Sequence, residues 1–469
     1  MNQKNKHLFS NVGILALSNF STKLLSLFLV PLYTGILTTE EYGIFDLVMV
    51  TVELLVPIIT LNISDALMRF LLDPQRNKTN ITEVGLKYIT ISLLVASLII
   101  LVCSQLPIFE IYSELFALIW LYFLTHLIHQ FLIQYAKGMD AVRDIGIVSV
   151  LSAIISLSLN IILLVVFGMG IKGFFVSTII ATSFSALYLF VRLKLWHRIR
   201  LHKVDRQLEK EMLSYSIPLI FTAVSWWANS SLDKYVITFF CGVAANGLIS
   251  VAYKIPSIMN TIQSIFIQAW QISAIKEYEE GKELKFYENT FWGFNMFLCG
   301  AGFGLILLSK FIAGLMFSND FYQAWIYVPF LIIASIINSA SGFLGPMLSA
   351  EKKTKVFAVA AIVGLVTNFV LNVVLVYVFG IQGATIATVI SSFSMYAVRK
   401  RSVFKFISPL KHMAIIFQWI LLCAQAVIKI FELSVWFELL IGFILIMLNI
   451  GFIKNVIQAI IKKRHADKI

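Results

Sequence analysis

The cations of this chain fall in every second gap between its apolar segments. Fourteen apolar segments of about 20 residues can be traced, and each is long enough to cross a bilayer as a helix. The N-terminus, six internal gaps and the C-terminus hold 31 of the 37 Lys and Arg residues. The other seven gaps hold only Lys172, Lys310 and Lys429. Loops that stay in the cytoplasm during insertion retain their cations. The alternation thus predicts an all-α integral membrane protein of fourteen transmembrane helices, with both termini cytoplasmic. One wrongly placed helix would shift every later gap and scramble the pattern.

Composition agrees. The chain is 59% hydrophobic and 13% charged, against about 25% charged residues in a soluble domain. The net charge of +12 matches a cytoplasmic face set against anionic headgroups, so nucleic acid is not an expected partner. Cys103, Cys241, Cys299 and Cys423 stand singly in apolar segments, without metal or disulfide spacing. No cofactor or metal is called for. Met1 to Leu17 looks like a signal peptide, but the apolar run resumes after Lys23 and continues to Ile36. It reads as a retained first helix.

The outer loops are short; the longest, Lys310 to Ala324, has about 15 residues, too few to fold alone. The largest inner loop, Arg192 to Leu213, carries seven cations. It forms a seam between two groups of six helices. The predicted organisation is a six-helix lobe over 1–195, a cytoplasmic linker over 196–213, a second six-helix lobe over 214–400, and two further helices with a tail over 401–469. An internal repeat supports the halves. Leu159-Asn160 to Phe167-Gly168 and Leu371-Asn372 to Phe379-Gly380 agree at six of ten positions, at an offset of 212. Each then reaches an Ile-x-Gly, ending at Gly173 and Gly383. Six helices per half make the repeat parallel, related by an axis along the membrane normal. Two such lobes enclose a cleft.

Polar stripes mark the helices expected to line it. In the eighth segment Ser250, Lys254, Ser257, Thr261, Ser264 and Gln268 recur at alternating spacings of four and three, which places them on one helical face. The first carries Asn19, Thr22, Lys23 and Ser26. The second carries Asp46, Glu53, Thr60 and Ser64, with Asp65 and Arg69 spaced as an i,i+4 ion pair. The seventh carries Trp227, Ser230, Ser231 and Lys234, with Trp226, Asn229 and Asp233 beside them. Hydroxyls in membrane helices also serve simply to join helices, and Asp65–Arg69 reads as a structural pair. Lys23 and Lys254 are different. A charge at the bilayer centre costs at least about 2.5–3.5 kcal/mol on insertion scales, and both read as cations lining an anion-binding cavity. Lys234 lies nearer the outer surface, beside Asp233. Trp226 and Trp227 are either packing residues or platforms for a sugar ring. Prolines 31, 57, 256 and 346 interrupt the first, second, eighth and tenth segments and favour kinks. The last two segments carry little polarity beyond Gln425, Glu438 and Asn449 and look peripheral.

Three stretches carry a family resemblance. Glu41-Tyr42-Gly43-Ile44-Phe45 follows the first helix; Asp233 to Ile237 and Gly247 to Lys254 lie in the second half; Asn372 to Gly383 closes the repeat. In their order and spacing these resemble the bacterial polysaccharide exporters of the multidrug/oligosaccharidyl-lipid/polysaccharide (MOP) superfamily, over nearly the whole chain. The resemblance implies a MATE-like fold in the bacterial cytoplasmic (inner) membrane. It also implies flipping of undecaprenyl-diphosphate-linked oligosaccharides for O-antigen, capsule or related glycans by alternating access, alongside glycan polymerase machinery. Lys23, Lys254, Lys234, Asn19, Ser257, Trp226 and Trp227 are the expected substrate-binding residues. No phosphate-cradling loop for ATP is present, so the energy is expected from an ion gradient, the membrane potential or the substrate's own gradient; if H+ or Na+ couples, Glu53 and Asp233 are the candidates, the alternative being that each only neutralises a neighbouring lysine. Lipid II flippases and ion-coupled drug antiporters share the fold and stand as alternatives; the lysines favour an anionic substrate. A membrane glycan polymerase or ligase would need a large outer loop with catalytic residues, and the seven histidines form no catalytic array.

Overall fold

A computed structural model describes residues 20–23, 25–107, 113–198, 205–279, 284–350, 353–403 and 407–466. Among them the chain is helical throughout, with no strand. It divides into two compact units, Met1–Leu232 and Asp233–Ile469.

The first unit contains α1 (Phe20–Ile36), α2 (Thr39–Ile59), α3 (Ile63–Leu71), α4 (Lys78–Ser104), α5 (Phe116–Gly138), α6 (Val142–Asn160) and α7 (Gly170–Arg192). It ends within α8 (Arg206–Cys241). Its core is a cluster of Ile63, Leu67, Ile81, Phe131, Tyr135, Val148 and Leu189, all buried, supplied by α3 to α7. The second unit begins in α8. It contains α9 (Val243–Ala252), α10 (Lys254–Glu279), α11 (Leu284–Leu307), α12 (Ser309–Met316), α13 (Val328–Ala350), α14 (Thr354–Phe379), α15 (Ile381–Ser402), α16 (Pro409–Ile430) and α17 (Val435–Ala466). Here α15 packs on α13 and α14, and α13 also packs on α10, α11 and α16.

Eleven helices among the described residues are long and apolar enough to cross a membrane. They match eleven of the fourteen expected segments. The other three are the first, seventh and eighth: the first is described over Phe20–Ile36, short of a full span, the eighth divides into α9 and α10, and the seventh carries a polar stripe. Side chains such as Leu94, Val166, Tyr377 and Ile446 lie outward on these helices, as expected where lipid is the solvent. The protein is a multi-pass membrane protein.

Two expected single helices are broken, both near a proline. The second segment divides into α2 and α3 at Leu61 and Asn62, which have φ of 49° and 51°. Pro57 has no N–H to give Glu53, and its own carbonyl instead accepts from Asn62 N at 2.9 Å. The eighth segment divides into α9 and α10 at Tyr253, because Pro256 cannot bond the Ala252 carbonyl four residues back. Pro346 leaves α13 unbroken. The stretch expected to be the longest outer loop is also ordered, as α12 and a 3-10 turn over Asn319–Tyr327.

The sequence repeat has a structural echo inside each unit. Asn160 donates to the Ser156 carbonyl at 2.8 Å, and Asn372 to the Asn368 carbonyl at 3.0 Å. Gly168 and Gly380, at equivalent positions, have φ of 61° and 59°, a region open to glycine. Gly173 and Gly383 follow, each against the preceding helix. A Cβ at Gly383 would stand 2.0 Å from the Leu375 carbonyl oxygen, and one at Gly173 would stand 3.3 Å from that of Leu163. A methyl group at 383 must therefore force backbone apart. Gly383→Ala is expected to destabilise the protein by about 1–3 kcal/mol or more, as overpacking does, and Gly173→Ala by less. Thermal unfolding in one detergent would rank the two.

The first turns of α8 are clasped onto α4 and the turn before it. Arg76 Nη1 pairs with Glu211 at 2.7 Å, and its guanidinium sits 4.5 Å from the Phe70 ring centre. Lys87 Nζ meets Glu209 at 2.6 Å, and the Tyr88 hydroxyl donates to the same oxygen at 2.7 Å. The Lys87 and Tyr88 donors hold the Glu209 carboxyl below its ordinary value, with burial opposing them. Since the folded form holds the lower value, this stabilisation is present above the unfolded value of about 4.3 and is lost as pH falls through the folded one. Proteolytic cleavage near Gln207 is expected to rise only in that acid range. Glu209→Gln should make it rise at neutral pH.

Candidate functional site

In the first unit an aromatic knot fixes the C-terminal end of α1. Tyr33 stacks on Tyr42, with centroids 4.7 Å apart and rings within 5° of parallel. Phe45 lies 4.3 Å from Phe174 and 4.9 Å from Phe175, centre to centre. Thr38 caps α2: its hydroxyl accepts from Glu41 N at 3.1 Å, and Glu41 reaches back to Thr38 N at 2.9 Å. An N-cap of this kind contributes about 1 kcal/mol. The Glu41-Tyr42-Gly43-Ile44-Phe45 motif therefore works as a structural turn that holds α1 on α2 and α7.

Below that knot the expected site residues take different roles. Asn19 lies outside the described residues. Lys23 and Glu53 are both exposed, and Ser26 donates to the Lys23 carbonyl at 2.8 Å. The two tryptophans separate. Trp227 Nε1 donates to the Val50 carbonyl at 2.7 Å, which ties α8 to α2. Trp226 is 75% exposed, with Thr222, Ser225, Asn229 and Ser230 exposed on the same helix. An exposed indole among hydroxyls and an amide has the chemistry of a sugar platform. Trp227 is a packing anchor.

The expected Asp65–Arg69 ion pair gives way to two amides. Asn62 Nδ2 donates to Asp65 at 2.9 Å, and Gln134 Nε2 on α5 donates to the other carboxylate oxygen at 2.6 Å. Arg69, in the last turn of α3, is exposed. The left-handed turn at Asn62 brings that amide onto Asp65, three residues on, so the break after Pro57 decides the partner.

In the second unit Asp233 is 5% exposed. It accepts from the Tyr253 hydroxyl at 2.6 Å and from Lys234 N at 3.0 Å. Tyr253 is the residue at the α9/α10 break, and no stripe in the sequence pointed to it. Lys234 and Lys254 are half-buried. Lys254 opens α10. The stripe below it is largely satisfied within its own helix: Ser257 donates to the Lys254 carbonyl at 2.6 Å, Thr261 to that of Ser257 at 2.8 Å, and Ser264 to that of Thr261 at 2.8 Å. Asn260 and Gln263, outside the stripe, reach Ser335 and Ser339 of α13. Their i,i+3 and i,i+4 spacings were the available signal. A cavity of about 600 Å³ lies between α10, α11 and α17, lined mainly by Phe266, Phe294, Phe297 and Phe452.

The last two helices are not peripheral within this unit. Lys429 Nζ donates to the Leu307 carbonyl at 2.7 Å and faces Glu438 at 3.4 Å. Gln425 donates to the Phe303 carbonyl at 3.1 Å, and Trp419 Nε1 to Asn295 at 3.0 Å. No group of three or more His, Cys, Asp or Glu side chains suited to a metal ion occurs among the described residues.

This is the fold of the MOP transporters. A lipid II flippase, MurJ, in an inward closed conformation aligns with 94% of this chain and 99% of its own at a TM-score of 0.64 and 16% identity. A multidrug resistance MATE family transporter of the MOP superfamily aligns with 85% of this chain and 95% of its own at 0.59 and 14%. A family profile described as polysaccharide biosynthesis protein matches residues 8–271, more than half of the chain. The chain belongs to that family. Among its relatives, a Haloferax volcanii protein named probable low-salt glycan biosynthesis flippase Agl15 is 25% identical over 187 residues, 39% of each chain. A Methanocaldococcus jannaschii membrane protein is 24% identical over 188 residues, 40% of this chain and 44% of its own. The matched stretch thus spans less than half of either relative.

Proposed function

We propose that the protein is a flippase that moves undecaprenyl-diphosphate-linked oligosaccharide repeat units, such as those of O-antigen or capsule, across the cytoplasmic membrane by alternating access, and is not an enzyme. The observation that carries this reading is the pair of cations Lys23 and Lys254. They stand within otherwise apolar segments of a chain from a polysaccharide biosynthesis family. A fixed cation away from bulk water attracts a diphosphate strongly, whereas it would repel a cationic drug. Trp226 and its hydroxyl neighbours supply a surface for a sugar ring. The aromatic cavity of the second unit offers hydrocarbon a place beside the lipid. Glu53 and Asp233 remain the coupling carboxylates for H+ or Na+, with glycan polymerase machinery receiving the product. The lobes are 1–195 and 214–400, and both termini and the Arg192–Leu213 loop lie in the cytoplasm.

Deleting the gene in its own host tests the reading. Loss of surface glycan with accumulation of lipid-linked repeat units on the cytoplasmic side is the expected result, reversed by a plasmid copy. Unchanged glycan and an unchanged lipid-linked pool would overturn it. Lys203→Cys in a cysteine-free background should react with an impermeant maleimide only after cells are permeabilised; reaction in intact cells would reverse the topology.

A further inference from the structure

Where α13, α14 and α15 meet, the second unit holds a guanidinium with an unused edge. Arg399, in the last turn of α15, is half-buried. Its Nη1 donates to the Ser341 carbonyl of α13 at 2.9 Å. Its Cζ sits 5.3 Å from the centre of the Phe357 ring, in the first turn of α14. Its Nε is buried and has no hydrogen-bond partner among the described residues, and the same holds for the Ser341 hydroxyl. Among those residues no carboxylate reaches it. A guanidinium taken from water needs an anion, because a carbonyl alone does not offset the desolvation of its charge.

The first unit closes the matching corner from within the chain. The repeat offset of 212 sets α6 against α14 and Asp144 opposite Val356. Asp144, in the first turn of α6, accepts from Arg192 in the last turn of α7 at 3.0 Å and from Tyr188 at 3.3 Å. The first turn of α14 has no acid, and its N-cap residue Lys353 offers no side-chain cap. Lys353 Nζ donates instead to the Ser402 carbonyl of α15 at 3.3 Å. The uncapped amides of α14 add the positive end of a helix dipole. From 350 to 411 the sequence holds eight Lys and Arg and one acid, Glu351, which lies outside the described residues. Glu288 of α11 is taken by Ser408 N and Lys411. An anion from outside the chain fits this corner, and a lipid fits it better than a free ion. Lys355 is exposed, and Val359, Ile362 and Val366 continue its face of α14 at spacings of four, three and four, all exposed. A cationic head above an apolar stripe matches a headgroup phosphate above an acyl chain. Basic pockets between membrane helices hold anionic headgroups in this way.

We propose that Arg399, with Lys355 and the start of α14, binds the headgroup phosphate of an anionic phospholipid whose acyl chain runs along α14. Two phosphate oxygens meet the Nε–Nη2 edge of the guanidinium, the two-point arrangement that makes arginine a phosphate binder. The lipid closes in the second unit the corner that Asp144 closes in the first. The site needs only a bilayer, so it stands apart from what the protein transports.

Native mass spectrometry of the full-length protein tests this, with dioleoyl phosphatidylglycerol and dioleoyl phosphatidylcholine as probes. The two lipids share acyl chains and differ in head charge. Wild type is expected to retain phosphatidylglycerol more tightly than phosphatidylcholine. Arg399→Gln should weaken that binding by at least about tenfold, the weight of one hydrogen bond to a charged group. Arg399→Lys should fall between, since an ammonium keeps the charge and loses the two-point edge. Glu351→Gln should not weaken it, because a carboxylate there could only compete with the phosphate. Wild-type affinity for phosphatidylglycerol in Arg399→Gln would overturn the proposal. Equal retention of the two lipids by wild type would also overturn it, and that readout needs no variant to fold. Displacement of phosphatidylglycerol by inorganic phosphate would mark a free-ion site. Displacement by undecaprenyl diphosphate at equal concentration would give the site to a transported lipid. Either displacement overturns the phospholipid assignment.

Discussion

Replacing both Lys23 and Lys254 with alanine is expected to cut translocation of a lipid-diphosphate glycan by at least about a hundredfold, with membrane insertion unchanged. A hydrogen bond to a charged group is worth about 1.5–3 kcal/mol, so losing two removes about 3 kcal/mol or more. Every 1.4 kcal/mol is tenfold. Insertion should survive because each alanine makes its helix more apolar. Lys→Arg at both positions should retain most transport, since the charge is kept. Export at the wild-type rate by the double alanine variant would remove the diphosphate-binding role.

Glu438→Ala is expected to have the largest effect on stability. The carboxylate is 2% exposed, and its partner Lys429 is 14% exposed, at 3.4 Å. Removing one member of a buried pair leaves the other charge uncompensated, which costs about 3–5 kcal/mol. Lys429 keeps its bond to the Leu307 carbonyl, so the lower end of that range applies. Replacing both partners, Glu438→Gln with Lys429→Met, should recover most of the loss, because no lone charge then remains. Unfolding midpoints in detergent for the single and double variants decide this. Equal midpoints for wild type and Glu438→Ala would contradict it.

Much of the architecture was legible in the sequence because lipid enforces it. A helix that faces hydrocarbon must be apolar over its whole span, so eleven of the expected segments coincide with helices of the right length and hydropathy. The repeat was legible for a related reason. Gly168 and Gly380 adopt backbone angles that other residues reach at a cost, and Gly383 lies against a carbonyl that leaves no room for a methyl group. Such positions constrain residue identity, and identity is what a sequence displays.

Partner choice was less legible. Arg69 stands at the right helical spacing from Asp65, but the helix breaks at Leu61 and Asn62 and presents an amide first. Spacing along one helix cannot register Gln134, which arrives from α5. The stripe on α10 was correctly located as polar, yet Ser257, Thr261 and Ser264 spend their protons on carbonyls three or four residues back. Helical periodicity records where a hydroxyl points and is silent on where it donates. The last two helices look apolar in sequence because their few polar groups are widely spaced. Those groups bond α11 across helix boundaries, which only tertiary structure reveals.

The central claim is that this chain carries an anionic lipid-linked glycan. Purified protein in proteoliposomes, given a defined undecaprenyl-diphosphate oligosaccharide on one leaflet and, separately, a fluorescent cationic drug inside, tests it most directly. The account predicts protein-dependent appearance of the oligosaccharide on the opposite leaflet, lost in the Lys23→Ala, Lys254→Ala variant, with no transport of the drug. Drug transport with no movement of the lipid-linked glycan would contradict it.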